Sequence, residues 1–136
     1  MRLVIGDIPK SPNGPHGLLR MHWAARKRYW EYWRNLIRAE IDNSHEPCQT
    51  KQHVSITQIR QKKLDPDNLI ASCKPILDAL VAWKLIKDDS PDYIELSVRQ
   101  DVEKGKFTIV VIEDFKQWEK SNDDETWKKV VELLWS

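Results

Sequence analysis

The sequence predicts a single α/β domain, a small mixed sheet with helices packed on it. Runs rich in β-branched residues alternate along the chain with segments whose apolar residues recur every three or four positions. The chain has 136 residues, the size of one domain and large enough to bury a core without staples. It is 40% apolar and 32% charged, too apolar to remain disordered.

RLVIGDI, beginning at Arg2, reads as a first strand closed by Pro9. SPNGPHG, residues 11–17, is dense in proline and glycine and forms a loop. From about Ala24 to Ile41 the pattern is helical: Trp30, Trp33, Ile37 and Ile41 share one stripe, and Lys27, Glu31, Arg34 and Arg38 another. VSITQIR, residues 54–60, has strand composition. A second helix is expected from Asn68 to about Trp83, with Leu69, Cys73, Ile76, Leu77 and Leu80 inward and Asp67 or Asn68 as its cap. Pro75 lies inside it and removes one helical hydrogen bond, so a kink is expected there. IELSVRQDV, residues 94–102, alternates apolar and polar, and FTIVVIE, residues 107–113, follows a glycine turn. The two are expected to pair as an antiparallel hairpin. A last helix is expected from about Asn122, with Trp127, Val130, Val131 and Leu134 on its apolar face.

The formal net charge is only +1, so any basic surface must arise by segregation. Such segregation exists. Arg20, Arg26, Lys27, Arg28, Arg34 and Arg38 crowd one stretch in which Glu31 is the only acid, and Arg60, Lys62 and Lys63 lead into an acidic turn. Arg26, Lys27, Arg34, Arg38, Arg60, Lys62 and Lys63 are therefore the candidate nucleic-acid contacts. Trp23, Trp30 and Trp33 have the chemistry to stack on bases, but their helical spacing favours the core. Two cysteines, Cys48 and Cys73, make no disulfide framework, and His16, His22, His45 and His53 lack zinc-ligand spacing. With no apolar signal region and no membrane-length run, an intracellular protein without membrane association is the expectation.

The acids carry the most specific signal. KKLDPDN, residues 62–68, places Asp65 and Asp67 where a strand gives way to a helix, and IKDDSPD places Asp88 and Asp89 before the next strand. If the two turns meet, like charges repel unless a proton or a hard cation sits among them. Mg²⁺ takes carboxylates, water and phosphate oxygens. Lys74 follows Asp67 by two helical turns, roughly 10 Å, and precedes Asp78 by four residues, a spacing that also suits a simple surface ion pair. The same acids are good turn and cap residues.

The run LDPDNLIASCKPILDALVAWKLIKDDSPDYIELSV, residues 64–98, resembles the signature region of the RusA-like Holliday junction resolvases of bacteria, phages and prophages. Asp65, Asp67, Asn68 and Leu69 match its Asp-x-Asp-Asn-Leu opening; Lys74 and Asp78 match the lysine and the aspartate four residues later; Asp88 and Asp89 match the closing pair. The resemblance covers about a quarter of the chain. It implies a homodimeric endonuclease cutting branched DNA with Mg²⁺, or Mn²⁺ in its place, in the cytoplasm of a bacterial or phage-infected cell. It implies that Asp65, Asp67 and Asp89 hold the metal with help from Asp88, that Lys74 contacts the scissile phosphate, and that water attacks in line to leave a 5′-phosphate. Residues 1–115 would form the RusA-like domain and residues 116–136 a helical extension of it. Between Asn68 and Asp78 this chain carries about one helical turn more than the shortest family members. Two other readings stand beside it: a non-catalytic nucleic-acid-binding module of the same fold, and an interaction protein that recruits a partner through its C-terminal helix.

Overall fold

The computed structural model describes residues 1–14, 16–42, 44–121 and 133–134. Its order is β1 (Arg2–Ile5), a 3₁₀ turn (Leu18–Arg20), α1 (Trp23–Glu40), β2 (Gln52–Arg60), α2 (Pro66–Ser72), α3 (Lys74–Ala82), β3 (Ile94–Val102), β4 (Phe107–Asp114) and α4 (Phe115–Ser121). The fold is the expected small mixed α/β domain.

The four strands form one sheet in the order β1-β4-β2-β3. β2 runs parallel to β3 and antiparallel to β4, and β1 pairs antiparallel with β4. The expected hairpin between residues 94–102 and 107–113 therefore does not form. β2 lies between them, and residues 103–106 step across its end, where Glu103 N–H donates to the Arg60 carbonyl at 3.0 Å. Two strand spacings are about 9.6 Å, within reach of a four-residue link. Gly105, at φ +112°, supplies the left-handed residue of that step. β2 is the most buried strand, covered at every position from Ile56 to Arg60, whereas β3 has one open face along most of its length.

One face of the sheet carries Leu3, Ile5, Val54, Ile56, Ile94, Val110 and Ile112 against Trp33 and Ile37 of α1 and Ile76, Leu77, Ala79 and Leu80 of α3. Trp33 and Ile37 are fully buried, so the predicted stripe of α1 is its core face. Replacing such a tryptophan by alanine costs about 3–5 kcal/mol. On the opposite face, Trp118 of α4 stacks on His53 of β2, ring centroids 4.0 Å apart and planes 4° from parallel.

The second predicted helix is two helices. α2 ends at Ser72, Cys73 serves both as its C-cap and as the N-cap of α3, and Pro75 occupies the first turn of α3. A proline is tolerated there because its missing N–H would have had no helical partner. The expected kink is thus a full break. α4 forms in a segment where no helix was expected, started by Asp114 Oδ1, which accepts from the Lys116 and Gln117 N–H groups at 3.0 and 3.2 Å, while the start of the helix expected from about Asn122 lies outside the described residues. Trp127, Val130 and Val131 lie outside the described residues; Leu134 is exposed. Among the described residues, no helix is long and apolar enough to cross a membrane.

Candidate functional site

The first acidic turn follows β2. Asp65, rather than Asp67 or Asn68, caps α2: its Oδ1 accepts from Asn68 N–H at 2.8 Å and its Oδ2 from the Asn68 side-chain amide at 3.0 Å. Pro66 takes the first helical position, with φ already set for a helix. Asp67 is exposed in the first turn, where the helix dipole favours a carboxylate. Leu64 is fixed to β3 by two bonds with the Gln100 side-chain amide, at 3.0 and 2.7 Å. The chain of contacts extends to the SPN loop, where the Asn13 side-chain amide donates to Asn68 Oδ1 at 2.9 Å. Gly17 makes that loop possible, since a Cβ there would lie 2.3 Å from the Asn13 carbonyl oxygen.

The second turn is placed by the end of α3. Lys84 adopts φ +60°, an uncommon left-handed conformation for a side-chain-bearing residue, and Leu85 N–H returns to the Leu80 carbonyl at 2.9 Å. Leu85 and Ile86 are then buried, which turns residues 87–89 back along α3. Asp88 Oδ1 accepts from Asp89 N–H at 2.9 Å. Asp89 Oδ2 receives Lys74 Nζ at 2.6 Å, and the same ammonium lies 3.1 Å from Asp78 Oδ1. The hydrogen bonds that Lys74 donates to Asp89 and then Asp78 raise its pKa, and the same bond to Asp89 holds that carboxyl below its usual range. Lys74 thus makes the expected contact with Asp78 and a second one, to Asp89, that spacing along the helix could not reveal.

The break at Cys73 interrupts the continuous helix along which Lys74 was expected to follow Asp67 by two turns. The four aspartates form two sets. Asp65 and Asp67 stand at the start of α2; Asp89 stands beside Lys74 at the start of α3, with Asp88 preceding it in the chain. Among the described residues, no three His, Cys, Asp or Glu side chains are grouped to hold a metal ion. In kind, the donors suit a hard divalent cation, being carboxylates with oxygen lone pairs to spare. A cation drawing on both sets would compete with Lys74 for Asp89.

Of the candidate nucleic-acid contacts, Lys27, Lys62 and Lys63 are exposed. Arg26 lies over the Trp30 ring, 5.2 Å from its centroid, and Arg38 over Trp83 at 5.0 Å. Arg34 is 3.9 Å from Glu31 and lines an open groove of about 430 Å³ with Asn35, Ala82 and Trp83. Arg60 does not belong with them. It is buried, its Nη1 donating to the Pro9 carbonyl at 3.0 Å and to Gln58 Oε1 at 2.6 Å. Gln58 in turn donates to Ser72 Oγ at 2.9 Å. Arg60 therefore ties β2 to the β1 loop rather than facing a ligand. Trp33 is core, whereas Trp23 is 73% exposed.

Asn13, Gln100 and Trp30 join the site without having been expected there. The only sequence signal for Asn13 was its place in SPN. Trp30 Nε1 donates to Asp78 Oδ2 at 2.8 Å, 48 residues away, a bond that no local pattern encodes. Compared with protein-family models, curated proteins and solved structures, the chain matches none.

Proposed function

We propose that the protein is a metal-dependent endonuclease acting on branched DNA, of the RusA-like type that residues 64–98 resemble. The observation that carries this reading is the Lys74–Asp89 contact of 2.6 Å. It brings the second acidic turn back to the junction of α2 and α3, one short helix away from the first. α2 has seven residues, about 10 Å. Lysine and acids matched in sequence order thereby also share a neighbourhood. Asp65, Asp67, Asp88 and Asp89 would hold a divalent cation, with Mg²⁺ the ion of choice and Mn²⁺ an alternative. Such an ion supplies an activated water and steadies the leaving oxygen.

The chain's own residues have distinct tasks in this reading. Asp65 and Asn68 set the start of α2, and Asn13 fixes the loop beside it. Lys74 is a cation more than half exposed, placed to meet a phosphate once Asp89 turns to another partner. The exposed Lys27, Lys62 and Lys63, together with Arg26, Arg34 and Arg38, would bind the DNA backbone with strong salt dependence. Two such protomers would place two cutting sites on a four-way junction, whose symmetry a dimer matches.

The test is incubation of the purified protein with a synthetic four-way junction and Mg²⁺, beside Asp67→Asn. Paired nicks from the wild type alone support the proposal; an intact junction at every metal concentration overturns it. A second reading, a non-catalytic nucleic-acid-binding module, is favoured by the engagement of both Asp65 oxygens in capping. It expects salt-sensitive junction binding with no metal requirement and no cleavage.

A further inference from the structure

Trp30, on the basic helix, is joined to Lys74 through Asp78. The two oxygens of Asp78 have different partners: Oδ2 takes the Trp30 indole N–H at 2.8 Å, and Oδ1 faces Lys74 Nζ at 3.1 Å. With both oxygens held, the carboxylate cannot rotate without losing a contact. An isolated i,i+4 lysine–aspartate pair is worth only about 0.3–0.5 kcal/mol, too little to fix a side chain with four rotatable bonds. The indole N–H supplies the missing constraint from a second element. Trp30 is itself held in place, with Tyr29 edge-on at 6.0 Å and Arg26 over its ring at 5.2 Å.

We infer that Trp30 is a positioning residue for Lys74, acting through Asp78. Of the two carboxylates gripping the ammonium, Asp89 is the one that a cation would claim. Asp78 is then the remaining anchor, and its orientation decides where the ammonium points. The same ring supports Arg26, so a DNA backbone drawn onto α1 is registered against the lysine. The catalytic consequence rests on the endonuclease reading; the linkage itself does not.

Two measurements test it. In the first, Trp30→Phe keeps a ring under Arg26 but removes the N–H. Its kcat on a four-way junction should fall about tenfold, the scale of a small misplacement of a reacting group, while KM stays within about twofold. Asp78→Asn should behave alike, and the double variant should be no slower than either single one. In the second, the Trp30 indole N–H resonance, assigned by its absence in Trp30→Phe, should move in Asp78→Asn and in Lys74→Met. Asp78 is partly exposed, so its variant reports even if Trp30→Phe folds poorly. An unchanged kcat in Trp30→Phe, or an indole resonance indifferent to Lys74→Met, overturns the inference. A wild type that cuts no branched DNA while the resonance still follows Lys74 removes the endonuclease reading and leaves the linkage standing.

Discussion

Asp65 and Asp89 are both turn aspartates beside a strand, yet their carboxylates are engaged in different ways. Asp65 faces its own chain three residues on, bonding to the backbone and side chain of Asn68. Asp89 faces a lysine 15 residues earlier, through a contact that closes a loop rather than capping a helix. The first arrangement builds the fold, since without it α2 begins with an unsatisfied N–H. The second is an exchangeable ion pair on a partly exposed surface, where charge pairs contribute little to stability. Residues of one chemical type thus serve different partners, a helix start in one case and a lysine ammonium in the other.

The sharpest way to break this comparison is by activity. Asp67→Asn and Asp89→Asn should each slow junction cleavage at least about 100-fold, equivalent to roughly 2.7 kcal/mol of barrier, with gel-resolved nicking as the readout. Activity retained in Asp89→Asn would make the second turn as structural as the first. Removing the competing cation comes next. Lys74→Met should strengthen apparent Mg²⁺ affinity several-fold in a thermal-shift titration, because Asp89 is then free, and should also lose cleavage.

Stability separates the two turns in the other direction. Asp65→Ala should cost about 1 kcal/mol as a lost cap, lowering the melting temperature by about 4 °C. Asp89→Ala should cost less than half of that by the same calorimetry. The smallest effect is in pH dependence. The Asp89 carboxyl is held below its ordinary 3.8, chiefly by the bond from Lys74, so its contribution is complete above 3.8 and fades as pH falls through the lower folded value. Lys74 is raised above 10.5, so its contribution is complete below 10.5 and fades as pH rises through the higher folded value. The stability gap between wild type and Asp89→Asn should therefore be flat from about pH 5 to 9 and close at both extremes. Urea titrations across that range decide it.

Local pattern carried much of the fold. The alternation over residues 94–102 matches β3 residue for residue, and the three-and-four spacing of Trp33 and Ile37 marks the buried face of α1. What pattern did not carry was pairing. Alternation says that β3 has one wet face, but not that β2 stands between β3 and β4. Arg60 looked like one more cation in a basic run, and only the Pro9 carbonyl, 51 residues away, reveals it as a buried tie. In the site, Lys74 and the four aspartates were legible as a motif. The division of labour among them was not, because capping and ligation use the same side chain, and because Asn13, Trp30 and Asp89 meet their partners only through tertiary contacts.

The placement of β2 has a further consequence, for how the chain is assembled. The one pair of consecutive strands that lies side by side, β2 and β3, is parallel and joined through α2 and α3, so no local hairpin can seed the sheet. β1 has its partner more than a hundred residues downstream, at 108–111, and a chain emerging from a ribosome must hold its first strand unpaired until nearly the whole domain has been made. The β1–β4 pairing is therefore a long-range closure that cannot form before β4 has been made.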